Sequence, residues 1–533
     1  MRVKQEYPNA NRLLLRISHR GYTLVLCALI WLSFALALYA LNRFPLREDE
    51  AIYSFWAVYG WRVDPFFLKV WPDKPPLFLG VLALAFQLWG ASQASGRLLN
   101  IMLTLLTALV IGATARRLWG TQRGLLATML YLLNPFVLSF AATVYTDPLL
   151  VLAGQLALWS ALTGGAFYAG FWLAVALMTK QQGLFYVPLI LVICWGQLTS
   201  TPAAQSNQFL RRWGRFIAGA LLVLAPVFYW DSSRWAVAPS PWDLGVRNYG
   251  ALQLLAPAQW LARSGEWAAL LWYFTASWPI WLLVAFLLLW RCRGLVDTLA
   301  TWKLPVVWLL LWSGGFLVFH LVTSIQPWDR YLLPLAPPFC LLLAGLLPRG
   351  GRAAFPQQAT RWATVGGLLV FLGLLPPALN AARGALPIGG DHGDYRGLTE
   401  AITWVKREAP PTSILYQQRL GWHYQFYLYD ELASGTVELR WFPTPTYLAA
   451  NAAQSPAVAR FLVLPDWLPQ PDLPLQLAVR QMKLTPLAHF ERMTLYGLQA
   501  QAIKAQGCSW CLCKLPMRWP LGPDRAIIRE AVH

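Results

Sequence analysis

The sequence predicts a polytopic α-helical membrane protein of about eleven transmembrane helices and one outer juxtamembrane helix, followed by a small C-terminal α/β domain outside the membrane. Three observations predict it. Hydrophobic residues make up 57% of the 533-residue chain and charged residues only 13%, with a mean hydropathy of +0.44. The apolar residues come in runs of roughly 15–22, the length that crosses a hydrocarbon core of about 30 Å in a helix. That pattern stops near residue 380, and the remainder has ordinary soluble polarity. The 30 Trp and 20 Tyr suit membrane–water interfaces. The net charge of +19 comes without any nucleic-acid-binding motif, and much of it lies in short loops between spans. It reads as topology-setting, lipid-facing charge, so no nucleic-acid partner is expected.

The first 20 residues carry Arg2, Lys4, Arg12, Arg16 and Arg20 ahead of an apolar run at 21–41. A cleaved signal peptide is the alternative, with Ala35-Leu36-Ala37 as a small-residue site. The run is long for that purpose and more spans follow, so an uncleaved first helix with a cytoplasmic N-terminus is expected. Further spans fall at 97–115, 124–142, 148–163, 166–179, 184–199, 214–230, 268–290, 304–323, 331–347 and 362–379. The run 76–90 is short, opens on Pro75-Pro76 and ends at Gly90. If it stays on the outer side, Arg116, Arg117, Arg123, Arg211, Arg212, Arg291, Arg293, Arg349 and Arg352 all become cytoplasmic, as the positive-inside rule requires. On that topology only Glu6 and Asp297 of the 24 acids face the cytoplasm. Glu48, Asp49, Glu50, Asp64, Asp73, Asp147, Asp231, Asp243, Glu266 and Asp329 lie outside or at the outer boundary. Carboxylates gathered on one face suggest an outward-facing site.

Residues 1–380 thus form a transmembrane domain and 381–394 a Gly/Pro-containing linker. Residues 395–502 form the outer α/β domain, and 503–533 a poorly structured tail. "YRGLTEAITWVKREAP" reads as an amphipathic helix with a Pro stop. "SILYQQ", "HYQFYLY", "RFLVLPDW", "LAHFER" and "TLYGLQA" read as strands. The absence of an evident internal repeat disfavours repeat-built secondary transporters.

Charged groups near the hydrocarbon boundary are costly, which makes them candidates for function. Asp49 and Glu50 are adjacent and diverge by about 100° on a helical wheel, so one of them points into a given site. Tyr53 shares the face of Asp49; the alternative for both acids is pairing with Arg43 and Arg47. Lys74, between Asp73 and Pro75-Pro76, suits either a phosphate or the headgroup layer. Asp147 stands before Pro148, as an N-cap or as a site acid on the face of Asp49. Lys180 ends an unusually short span and either snorkels or joins Lys74 beside the two acids. Asp329, Arg330 and Tyr331 enter a Pro-broken helix from a short outer turn, and Arg97 opens its span. His320 reads as a satisfied interfacial histidine rather than a proton carrier. Cys508, Cys511 and Cys513 have no second ligand pair at zinc spacing, and no P-loop or Rossmann glycine pattern is present.

In order along the chain, "REDEAIYSF", "DKPPLFLGVLALAFQLWGASQASGRL", "TARRLWGTQRGLLATMLYLLNPFVLSFAATVYTDPLL", "AVALMTKQQGLFYVP" and "RYLLPLAPP" resemble the GT-C glycosyltransferases, in particular the protein O-mannosyltransferase and aminoarabinose transferase group. The resemblance covers about the first 350 residues. It implies transfer of a sugar from a polyprenyl-phosphate donor to an acceptor on the outer face of the plasma (inner) membrane, and it often comes with an outer C-terminal domain. The family's acidic motif matches Asp49-Glu50 and its second acid matches Asp147. Its lysine before the prolines matches Lys74. Its "TKG" lysine matches Lys180, although this chain reads T-K-Q-Q-G.

A lipid-phosphate donor presents its reactive carbon at headgroup level. The attacking hydroxyl needs a carboxylate base, expected to be Asp49 supported by Glu50, and the departing phosphate needs cations, expected to be Lys74 and Lys180. Asp147 orients the acceptor or holds a cation. Tyr53, Arg97, Asp329, Arg330 and Tyr331 are expected to contact substrate. The co-substrate is the lipid-linked sugar, the acceptor a hydroxyl or phosphate oxygen of protein, lipid or glycan, and no metal or other cofactor is expected. One-step displacement inverts the anomeric centre. The competing readings are a secondary transporter or flippase, which places acids nearer the midplane, and a non-catalytic lipid-binding scaffold.

Overall fold

The computed structural model describes residues 19–199, 206–249, 253–292, 304–346, 356–391, 393–455 and 459–501. In chain order the bundle comprises α1 (His19–Ala40), α2 (Glu48–Arg62), α3 (Leu77–Trp89), α4 (Gln93–Trp119), α5 (Thr121–Leu132), α6 (Pro135–Ala141), α7 (Asp147–Thr163), α8 (Ala166–Thr179), α9 (Tyr186–Thr199), α10 (Ser206–Ser232), α11 (Pro241–Tyr249), α12 (Trp260–Trp272) and α13 (Trp278–Cys292). Helices Leu304–Val322, Ala336–Leu346 and Pro356–Ala382 complete it.

Among the described residues five helices are long and apolar enough to cross a membrane alone: Arg20–Ala40, Gln93–Trp119, Phe209–Ser232, Pro305–Val322 and Val365–Ala382. The bent pair α5–α6 adds a sixth, so helix length does not establish the expected eleven crossings. The 58° bend falls where the sequence demands it. Pro135 cannot continue α5, and Asn134 restarts the chain by accepting the Val137 N–H at 3.2 Å. α7, α8 and α9 are apolar helices of fewer than 18 residues.

α4 gives the bundle its polarity. Its 27 residues extend about 40 Å, from Gln93 and Arg97 at one end to Arg116 and Arg117 at the other. There Arg117 donates to the Leu162 carbonyl at the end of α7. Glu50, Asp73, Asp147 and the C-terminal domain gather at the opposite, Gln93 end. The 13-residue α3 also lies there, packed on α2, α4 and α8, and Phe86 meets Phe426 of the C-terminal domain at 5.8 Å.

The C-terminal domain carries a five-stranded sheet ordered β2-β1-β3-β5-β4, with β1 (Ser413–Gln417), β2 (Val437–Trp441), β3 (Arg460–Pro465), β4 (Met482–Phe490) and β5 (Met493–Ala500). β1 runs parallel to β2 and β3, and β5 antiparallel to β3 and β4. The amphipathic helix stands at Leu398–Glu408, as its periodicity predicts. "HYQFYLY" is a correction: residues 421–427 and 429–433 are helical, not strand. Its aromatics alternate between two partners at helical spacing. Tyr424 and Leu428 enter the domain core, while Phe426 and Tyr427 turn to the bundle. The stretch 381–394 is tied to the bundle at two points. The Gly389 N–H donates to Asp329 at 2.6 Å, and Gly390, at φ +134°, lies so close to the Arg47 side chain that a Cβ has no room.

Candidate active site at the C-terminal-domain end of the bundle

The site starts at the segment joining α1 to α2. Arg97, 3% exposed, donates to the carbonyls of Leu41 and Phe44 at 2.8 Å and of Pro45 at 3.0 Å. Its remaining edge grips Glu50 as a fork, Nε–Oε1 3.1 Å and Nη2–Oε2 2.9 Å. The backbone N–H groups of Val144 and Arg47 donate to the same carboxylate at 2.8 and 3.0 Å. Burial alone raises the Glu50 pKa, but Arg97 and Arg47 overcome it and hold the carboxyl below its ordinary value. Glu50 is fully buried with both oxygens engaged. It therefore anchors the start of α2, and Arg97 is its structural partner rather than a group facing substrate.

Asp49, one residue earlier, points the other way. Arg330 Nη1 lies 2.5 Å from its Oδ2, and the side chain keeps 28% exposure, enough to meet a substrate. Arg330 is buried between the rings of Tyr145 and Trp328, each 4.8 Å away. Asp329 starts the 3-10 helix Asp329–Leu335, and both its oxygens accept backbone N–H groups, from Arg330 and Gly389. It too holds the chain in place instead of facing the site.

Two further ion pairs stand beside Asp49–Arg330. Lys180 Nζ is 2.7 Å from Asp147 Oδ1, and Lys74 Nζ is 2.9 Å from Asp73 Oδ2. The lysines are nearly fully buried, and Lys180 also sits 4.7 Å over the Tyr331 ring. Burial lowers the pKa of both, Lys180 to about 8, with the partner carboxylates opposing it. Lys74, Lys180 and Arg330 lie close enough that Arg330 depresses both lysines, and Asp49 is within electrostatic reach of Lys74. Tyr53 is buried, edge-on to Phe78, and within electrostatic reach of Arg330.

The departure at T-K-Q-Q-G does not displace Lys180. Gln181 Nε2 bridges the carbonyls of Asp73 and Pro241 at 2.7 and 3.0 Å. Gly183 then lies against the Ala176 carbonyl where no Cβ fits, closing the turn. The same Gln181 bridge ties the lysine pairs to an apolar groove of about 540 Å³. Pro76, Met178, Leu221, Leu224, Phe228 and Trp242 line it. His320 is fully buried, with Nδ1 2.8 Å from the Phe316 carbonyl and its ring stacked on Phe316. Cys508, Cys511 and Cys513 lie outside the described residues.

Sequence reasoning brought Asp49, Lys74, Asp147, Lys180, Arg330 and Tyr331 to one place, and the structure places them together. It missed Asp73 as the partner of Lys74, although the two are adjacent. It also missed the groove, which is built by α8, α10 and α11 and has no local signature.

Residues 73–230 match the family model described as dolichyl-phosphate-mannose-protein mannosyltransferase. No curated protein matches the sequence significantly. The fold is similar to ArnT from Cupriavidus metallidurans bound to undecaprenyl phosphate, at 17% identity and TM-score 0.59, covering 92% of this chain and 100% of that one. ArnT from the same organism in the apo state gives TM-score 0.60 at 17% identity, covering 90% and 98%. The Archaeoglobus fulgidus oligosaccharyltransferase, tethered to an acceptor peptide containing the NVT sequon, gives TM-score 0.50 at 12% identity, covering 91% and 74%. The chain thus has the same fold as ArnT, and residues 73–230 within it match the dolichyl-phosphate-mannose-protein mannosyltransferase family model.

Proposed function

We propose that the chain is a membrane glycosyltransferase that moves a sugar from a polyprenyl-phosphate donor to an acceptor oxygen at the outer face of the plasma membrane. The observation that carries this is the joining of three buried cations, one partly exposed carboxylate and an apolar groove at one end of the bundle. A lipid phosphate needs all but the carboxylate, and an attacking hydroxyl needs the carboxylate. The ArnT neighbour bound to undecaprenyl phosphate and the family match support the donor class.

The polyprenyl tail enters the groove, and the phosphate meets Lys74, Lys180 and Arg330. Arg330 fixes the Asp49 carboxylate, whose exposed part faces the acceptor. The acceptor O–H gives its proton to Asp49 as its oxygen bonds to the anomeric carbon. The carbon–oxygen bond to phosphate breaks, its electron pair leaves with the phosphate, and the configuration inverts. Charge developing on that oxygen is met by preorganised cations. Asp147 keeps Lys180 protonated and aimed. With the charge met by side chains, turnover is expected to need no divalent metal.

Reconstitution in proteoliposomes with polyprenyl-phosphate-linked sugars tests the reading. It expects sugar in covalent linkage to an acceptor, and lipid-linked sugar accumulating in cells that lack the protein. Flux of the lipid or sugar with no transfer product would identify a transporter or flippase instead.

A further inference from the structure

We propose that the C-terminal domain positions the base: His423 and Tyr427 hold the backbone immediately ahead of Asp49 and thereby set the placement of its carboxylate. The inference rests on the glycosyltransferase reading above and extends it to a second domain.

In the seven-residue segment between α1 and α2, the carbonyls of Leu41, Phe44, Pro45 and Leu46 are held by side chains. Arg97 takes the carbonyls of Leu41, Phe44 and Pro45, and Gln93 Nε2 donates to Phe44 at 2.9 Å. That leaves Leu46, which is fully buried and has no water to turn to. Both of its peptide groups are met by helix Gly421–Tyr427 of the C-terminal domain. The Leu46 N–H donates to the Tyr427 hydroxyl at 2.9 Å, and His423 Nε2 lies 2.9 Å from the Leu46 carbonyl. A carbonyl only accepts, so the His423 proton must sit on Nε2. The Tyr427 O–H donates in turn to Gln93 Oε1 at 2.7 Å, joining the two clamps.

The clamping helix is itself fixed on both faces. Tyr424 and Leu428 fill the core of the C-terminal domain. Trp422 lies 5.9 Å from Phe55 and 6.1 Å from Trp56 on α2, and Phe426 lies on Phe86 of α3. Docking of the two domains is provided by these rings. The two bonds to Leu46 lie beside this packing. What they fix is the peptide three residues before Asp49, at the entry to the first turn of α2. Since Asp49 meets Arg330 at 2.5 Å and must also meet an acceptor, a displacement of about 1 Å is enough to lower turnover about 100-fold.

The test uses the full-length protein in lipid nanodiscs with a polyprenyl-phosphate-linked sugar donor. Tyr427→Phe keeps the ring and removes one oxygen; His423→Phe removes the donor; His423→Gln restores an N–H at the place of Nε2. Both Phe variants are expected to lower kcat by about 10-fold or more, with donor KM and polyprenyl-phosphate affinity within 2-fold of wild type. His423→Gln is expected to recover most of kcat. Wild-type kcat per folded molecule in Tyr427→Phe overturns the proposal, as does a parallel loss of KM and lipid-phosphate binding, which would mean general loosening. If His423→Phe does not fold, Tyr427→Phe decides alone. Asp49→Asn run alongside separates the two claims. An active Asp49→Asn refutes the base assignment, whereas an inactive one beside fully active Tyr427→Phe refutes only the role of the C-terminal domain.

Discussion

Lys180 and Asp147 form a buried ion pair, Nζ to Oδ1 2.7 Å, across the ends of two neighbouring helices. Neither has more than 5% of its side chain exposed. Removing one member of such a pair leaves a charge without water or partner, at a cost of about 3–5 kcal/mol. Asp147→Ala is therefore expected to lower the thermal midpoint and to weaken polyprenyl-phosphate binding together. Lys180→Met, which leaves the Asp147 carboxylate buried without its partner, should likewise lower the thermal midpoint and weaken binding. Thermal unfolding and lipid-phosphate titration on the same preparations check both.

The pH dependence follows from the same lysine. Burial lowers its pKa from the ordinary 10.5 to about 8. The unfolded chain thus binds more protons between those values, so this group's contribution to stability improves as pH rises through the window. Phosphate binding goes the other way, since it favours the charged amine. Affinity for polyprenyl phosphate is expected to fall as pH passes about 8, with a proton taken up on binding. Calorimetry in buffers of different ionisation enthalpy reads that uptake; a flat affinity from pH 7 to 9.5 would exclude Lys180 from the phosphate site.

Glu50 and Asp49 are neighbours with opposite fates. Glu50→Ala strands Arg97 and is expected to cost about 3–5 kcal/mol, seen as a lowered thermal midpoint and poor yield. Asp49→Asn should leave the midpoint within a few degrees of wild type, because Asp49 is partly exposed and outside the Glu50–Arg97 fork.

The groove makes a prediction about chain length. Ala225 lies on its wall, and Ala225→Trp fills it without touching the ion pairs. Donor KM should rise about 10-fold or more for long polyprenyl chains and stay near wild type for donors of two or three isoprene units. An equal rise for both would place the tail elsewhere.

The sequence read well where one local pattern decided the outcome. Apolar runs located the helices, although the expected span 124–142 is two helices that part at Asn134-Pro135. Positive charge on loops separated Arg116 and Arg117 from the acid-bearing end. It read poorly where a distant partner decides. "HYQFYLY" is rich in strand-forming aromatics, yet it is helical because Tyr424 and Leu428 face one core while Phe426 and Tyr427 face another. β2, "VELRW", escaped notice because its charged Glu438 and Arg440 pair with each other at the sheet edge. Glu50 looked like a second site acid because nothing local reveals that Arg97, 47 residues on, folds back over it. Asp329 looked like a substrate contact for the same reason, its partner Gly389 being 60 residues away.

The most direct measurement is single-turnover transfer of labelled sugar from a polyprenyl-phosphate donor by wild type and Asp49→Asn, in nanodiscs, with bound donor measured in parallel. A base carboxylate 28% exposed and held by Arg330 predicts that Asn binds donor normally and slows transfer at least about 100-fold. Transfer by Asp49→Asn at the wild-type rate would contradict the account.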